Sequence, residues 1–157
     1  MNPTRIIIHG GFFSESSTSL ETKVAKQQAL LRIVKESYAY LQTHSALEAV
    51  VYAVSLLEDD ALFNAGIGSQ IQSDGKIRMS ASLMDSETMK MSGVINIEEV
   101  KNPIQVAQHL LAVDDRILSG EGATAYARAN GFEAFSTEIP QRRAEYEAKV
   151  AASRLGT

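Results

Sequence analysis

No cysteine occurs among the 157 residues of this chain. A disulfide framework and a thiolate metal site are thereby excluded, and the composition fits a reducing, cytoplasmic setting. Histidine is scarce. His9, His44 and His109 lie far apart and show no HExxH-type spacing, so a zinc site of that pattern is not expected. Basic residues do not predominate: 15 Lys and Arg face 19 Asp and Glu, for a net charge of −4. Without a basic stripe to neutralise phosphates, nucleic acid is not an expected partner. Long apolar runs are missing too. None approaches the ~20 residues that span a bilayer, and the three isoleucines at 6–8 are too few for a signal-peptide core. A membrane is not an expected partner. Gly120-Glu121-Gly122 is a lone GxG at a helix entrance; it indicates no nucleotide site, and no organic cofactor is expected.

What remains is a chain 45% hydrophobic and 22% charged, enough for one globular domain with a core. Residues 5–8 are β-branched and end at Gly10-Gly11, a strand feeding a turn. The polar stretch 14–19 is expected as a surface loop. Thr18-x-x-Glu21 is a capping box for a first helix. Leu20, Val24, Leu31, Val34, Tyr38 and Leu41 give that helix one apolar stripe. Ser45-x-x-Glu48 is a second capping box. It opens a helix to about Leu57 that is apolar on most sides, hence expected to be buried.

Residues 58–70 form a turn with two glycines. Asp74-Gly75 signals a hairpin turn between two extended runs. Residues 76–84 and 89–99 are expected as neighbouring strands. Asn102-Pro103 supplies the N-cap and first residue of a helix to about Leu111. A short strand at 116–118 follows, then a helix at 122–130 stopped by Gly131, then a charged helix from Pro140 to about Arg154. The order β-α-α-β-β-α-β-α-α lacks steady βαβ alternation and indicates an α+β fold. The strands are few for so many helices, so the sheet requires strands from another segment.

Five motifs stand in one order: Ile6-Ile7-Ile8-His9-Gly10-Gly11, Leu62-Phe63-Asn64-Ala65-Gly66-Ile67-Gly68, Ala81-Ser82-Leu83-Met84-Asp85, Val100-Lys101-Asn102-Pro103 and Gly120-Glu121-Gly122-Ala123. Each alone is common. In this order the chain resembles the α-subunit of the isoaspartyl peptidase / plant-type L-asparaginase family, which are N-terminal-nucleophile hydrolases. Phe12 and Phe13 depart from the small residues usual after the Gly pair, and Ser80 and Ser86 replace an Asp and a Gly. Asp85 is expected to be a structural turn residue rather than a general base.

The resemblance implies half of a four-layer αββα sandwich, completed by a β-subunit from the same precursor in an (αβ)2 assembly. It implies hydrolysis of L-asparagine or β-aspartyl dipeptides by a threonine that begins the partner chain, so no catalytic nucleophile is expected here. His9, Gly10 and Gly11 would line the bond cut in maturation, and Asn64 would support the nucleophile's surroundings. Main-chain oxygens of Leu57, Glu58, Asp60, Phe63, Ala65 and Ile67 would hold Na+ or K+, with Glu58, Asp59 and Asp60 adding negative potential. Residues 1–157 would form that α-subunit, with 155–157 either the start of a flexible linker or the cleavage junction at Thr157. Two alternatives stay open: a non-catalytic α+β binding or regulatory domain, and a glycosylasparaginase-type hydrolase of the same superfamily.

Overall fold

The structure, a computed structural model, describes residues 4–11 and 19–155, with side chains to residue 153. Phe12, Phe13, Thr18 and residues 156–157, the cleavage junction included, lie outside the described residues.

Among the described residues, five helices and three strands follow in the order α1 (Leu20–Leu41), α2 (Ala46–Glu58), β1 (Met79–Asp85), β2 (Lys90–Ile97), α3 (Pro103–Leu110), β3 (Ile117–Ser119), α4 (Gly120–Ala129) and α5 (Pro140–Leu155). The α+β expectation is met. The sheet order is β1-β2-β3. β1 and β2 pair antiparallel, with Ala81 opposite Val94 and Met84 opposite Met91. β3 joins β2 in parallel after the α3 crossover.

The first expected strand does not form. Residues 5–8 belong to no ladder, and Ile7 is 94% exposed. β-branched residues favour extended backbone, but a strand also needs a partner, and no described strand pairs with this one.

Helix α1 starts one residue later than its capping box implies. Ser19 is the N-cap, and its Oγ accepts from the Thr22 N–H at 3.2 Å. Its apolar stripe is also placed differently. Leu20, Val24, Leu31 and Tyr38 are exposed, and Ala29, Ile33 and Ser37 form the buried line. Spaced at i, i+4 and i+8, these smaller side chains let α1 pack closely on α2. Helix α2 starts as expected: Ser45 Oγ accepts from Glu48 N, and Glu48 Oε2 accepts from Ser45 N. It is half-buried rather than buried all round, with Ala49, Val51 and Ala53 inside and Val50 outside.

Asp74-Gly75 is a turn, with Gly75 at φ 84° and Gln72 N–H donating to the Lys76 carbonyl at 2.8 Å. The segment before it is not a strand. The β1–β2 hairpin turns instead at Asp85, whose carboxylate accepts from Glu87 N and Thr88 Oγ1. The Thr88 hydroxyl and the Glu87 N–H hold that carboxyl below its ordinary range, as a structural turn residue requires. Opposite β1, the ladder shifts register between Met79 and Ala81, where Asn96 takes φ 55°. Asparagine tolerates this left-handed backbone better than most residues.

One face of the sheet is covered by α3 and α4. Met79, Val94, Ile97, Val106, Leu110, Ala123 and Ala127 form the main core there. A second cluster joins Val51 of α2 to Leu83, Ile104 and Ala107. A third packs Ala29 and Ile33 of α1 on Phe63. The opposite face of the sheet carries Met91, Ile95 and Ile117, at 55%, 48% and 49% exposure.

Candidate functional site

The third cluster sits beneath the loop at 57–68, which the glycines shape. Helix α2 ends at Glu58, and the chain doubles back until Ile67 N–H donates to the Glu58 carbonyl at 2.7 Å. Gly66 makes this closure with φ 51°. A Cβ there would lie 2.1 Å from the Glu58 oxygen, so no other residue fits. At Gly68 a Cβ would lie 2.3 Å from the Phe63 oxygen. Phe63 anchors the loop in the core. Arg142 of α5 clamps its end, donating from Nε to the Gly68 carbonyl at 2.8 Å.

Asn64 is exposed on this loop, and its Oδ1 accepts from Gln70 N at 2.9 Å. Its Nδ2 is left facing away from that bond. The glycine pair of the other motif reaches the same place. A Cβ on Gly10 would lie 2.9 Å from both Leu30 Cδ2 and Phe63 Cε1. Gly10 therefore rests on the ring that anchors the loop. Gly11 takes φ 87°, and its N–H donates to His9 Nδ1 at 3.2 Å. His9 itself is exposed.

The six carbonyls named from the sequence fall into two groups. Those of Leu57, Glu58 and Asp60 accept from Asp60, Ile67 and Phe63 N–H respectively, each keeping a second lone pair. Those of Phe63, Ala65 and Ile67 receive no backbone hydrogen bond among the described residues. A hard monovalent cation suits such uncharged oxygens, and the donor set fits one.

The three acids beside the loop are not a solvated charge run. Asp60 pairs with Arg32 at 3.0 Å and caps Leu62 N. Asp59 pairs with Lys101 at 3.0 Å and accepts from Asn102 Nδ2. Both acids are thus offset by cations, and the negative potential expected from the sequence is correspondingly smaller. Glu58 points inward and is only 3% exposed. A carboxylate at a helix C-terminus opposes the helix dipole. This one instead serves the next helix: its Oε1 accepts from Ile104 N at the start of α3, at 3.1 Å. Asn102, expected to cap α3, makes no side-chain cap bond. Burial pushes the Glu58 carboxyl up to about 7, against the Ile104 N–H and the Asn102 amide, which pull it down. Its Oε2 is buried without a partner.

Glu58 is also among the residues lining a small pocket of about 160 Å3, with Asn64, Ser69, Arg78, Ser80 and Pro103. A larger groove of about 740 Å3 between α2 and α3 is lined by Asp59 and His109, but by none of His9, Gly10, Gly11, Asn64 or the six carbonyl residues. The inward Glu58 and the Arg142 clamp escaped the sequence reading. An acid in the last turn of a helix, against the dipole, was the available signal for the first. Nothing local marks the second, since Arg142 and Gly68 are 74 residues apart.

No hydrolytic centre is assembled from these residues alone. Thr43 Oγ1 lies 2.9 Å from His44 Nδ1, and Tyr126 OH 2.8 Å from His109 Nδ1. His44 Nδ1 is shared with the Tyr40 carbonyl at 3.0 Å, and no group among the described residues is bonded to Nε2 of either histidine to orient it as a base. Among them too, no helix is long and apolar enough to cross a membrane.

Residues 1–154 match the asparaginase family, and the chain belongs to it. It is 48% identical over 128 residues to an isoaspartyl peptidase/L-asparaginase of Synechocystis sp., covering 79% of this chain and 37% of the relative. To a plant-type L-asparaginase of Pyrococcus furiosus it is 38% identical over 144 residues, covering 90% and 46%. To an isoaspartyl peptidase of Escherichia coli it is 35% identical over 160 residues, covering 99% and 50%. The chain spans half or less of the length of each of these relatives.

Proposed function

We propose that this chain is the α-subunit of a self-processing amidohydrolase that acts on L-asparagine, β-aspartyl dipeptides or both. The observation that carries the reading is the family match over residues 1–154. Two structural facts support it. The described residues hold no complete nucleophilic centre, and one sheet face with the 5–8 run is left without partners. A second segment would pair with residues 5–8, lay its own sheet on the bare face and complete a four-layer sandwich. Two such αβ units would form the assembly, in the cytosol.

In this reading a threonine hydroxyl attacks the carbonyl before it, the acyl group passes from nitrogen to oxygen, and water releases it. The freed α-amine, with a pKa of about 7.7–8.0, then serves as base for its own hydroxyl. Asn64 supports that nucleophile, and the loop 9–11 lies along the cut bond. Phe63, Ala65 and Ile67, with Leu57, Glu58 and Asp60, would hold an alkali cation that stiffens the loop carrying Asn64.

The test is to express the full reading frame containing this chain. The expected result is two fragments of one gene product by intact mass, with ammonia released from L-asparagine. A single uncut product that releases no ammonia would refute the proposal.

A further inference from the structure

The exposed Asn64 side chain takes its orientation from the Gln70 N–H, which donates to its Oδ1 at 2.9 Å. That N–H points where it does because the peptide unit before it is held from both sides. The Ser69 N–H donates to the Gly66 carbonyl at 3.2 Å. The carbonyl of the same unit, that of Gly68, accepts from Arg142 Nε at 2.8 Å. Ser69 itself, between this unit and the Gln70 N–H, is only 4% exposed. The donor is fixed in turn: the Arg142 side chain is 14% exposed, and its Nη1 pairs with Glu145 at 2.7 Å along α5. A bond from a charged donor is stronger than one between neutral groups.

We propose that Arg142 is a positioning residue for Asn64: from α5 it fixes the Gly68–Ser69 peptide, which sets the Gln70 N–H against Asn64 Oδ1 and so aims the Asn64 amide. The inference rests on Asn64 acting beside the nucleophile, as proposed above. A small misplacement of such a group is enough to slow the chemical step. The last helix of the chain thus reaches the site through three consecutive hydrogen-bonded residues, Gly68, Ser69 and Gln70.

Two substitutions separate the hydrogen bond from the charge. Arg142→Gln places an amide N–H on the same Cδ that carries the arginine Nε, so the donor to Gly68 is kept. Arg142→Met keeps the apolar stem and has no donor. Both lose the charge and the Glu145 pair. In the full-length protein, kcat for L-asparagine in Arg142→Met should be about tenfold below that in Arg142→Gln, the value of roughly one hydrogen bond. KM should stay within about twofold in both. An Arg142 that only holds α5 in place would lower the melting temperature and leave kcat, measured well below it, equal in the two variants. In an Asn64→Ala background the gap between them should close. Equal kcat in the two variants, or a gap that persists without Asn64, overturns the inference. If Asn64→Ala is itself inactive, a crystal structure of the Arg142→Met protein decides. Asn64 turned away from the Gln70 N–H supports the inference, and an unchanged bond overturns it. A wild-type protein that neither cleaves itself nor releases ammonia would instead remove the proposed function, and the same crystal structure would still decide whether Arg142 orients Asn64.

Discussion

Both faces of the three-stranded sheet carry large apolar side chains, and only one is covered among the described residues. On the α3/α4 side Val94, Ile97 and Leu110 are fully buried. On the other, Met91, Ile95 and Ile117 stand half in solvent. A sheet facing water on one side shows mainly polar residues there, and here Ser80 and Ser82 of β1 share the face with Met84, Met91, Ile95 and Ile117. Helix α1 repeats the contrast, with Ile33 inside and Leu20, Val24, Leu31 and Tyr38 outside. The molecule therefore has a completed side, held by its own helices, and a side shaped for contact.

The largest consequence falls on the chain by itself. Expressed alone, 1–157 should aggregate or behave as a molten globule, because the bare sheet face and the unpaired 5–8 run stay exposed. A sharp cooperative melt with dispersed amide NMR signals would break the comparison, since the side called unfinished would then need nothing.

Next in size is a pair of substitutions on one strand, made in the full-length protein. Ile97→Ala removes a side chain from the finished face and should cost about 2–5 kcal/mol by denaturant unfolding. Ile95→Ala, two residues away on the bare face, should cost a similar amount if that face is covered in the whole protein. A cost within about 0.5 kcal/mol at Ile95 is the surface value, and would show that the face stays in water.

These contrasts bear on what the sequence could disclose. Capping boxes, the Asn-Pro helix start and the glycine stop at Gly131 are short-range devices, and α2, α3 and α4 followed from them. The hairpin strands were legible as two neighbouring extended runs. Residues 5–8 have the composition of a strand, but pairing is a long-range property, and no described strand pairs with them. The α1 stripe was assigned by the three- to four-residue spacing of its larger apolar residues, which placed them inside. They are outside because the small ones, Ala29 and Ser37, permit close packing on α2. The loop at 57–68 was legible as a glycine turn, and Gly10 as a close approach. That Gly10 meets Phe63, and that Glu58 serves α3, depends on elements brought together from far along the chain.

A smaller effect is expected where α5 closes the loop. Arg142 is mostly buried, donates to the Gly68 carbonyl and pairs with Glu145 at 2.7 Å. Arg142→Ala should cost about 1–3 kcal/mol, as expected for a lost hydrogen bond from a charged donor. It should also weaken the stabilisation by Na+ or K+ relative to a bulky organic cation, measured as a difference in melting temperature. An unchanged difference between the salts would show that α5 supports the fold and leaves the loop alone.

The smallest effect is expected at Gly10, where the finished loop meets the unfinished edge. An added Cβ would press on a methyl of Leu30 and the edge of the Phe63 ring, each at 2.9 Å. Leu30 is only half-buried and its methyls can swing aside. Phe63 is buried and cannot. The strain should therefore sit near the low end of overpacking, about 1 kcal/mol. If it falls wholly on the self-cleavage barrier, maturation slows about fivefold. A gel time course of precursor conversion measures this, with circular dichroism to confirm that the precursor stays folded. Gly11→Ala is the useful contrast. No atom lies within 4 Å of a Cβ there, but φ is 87°, so its cost is backbone strain alone. Slowing by Gly10→Ala with Gly11→Ala cleaving at the wild-type rate would place the constraint at the Phe63 contact. The reverse order would place it in the backbone of the turn.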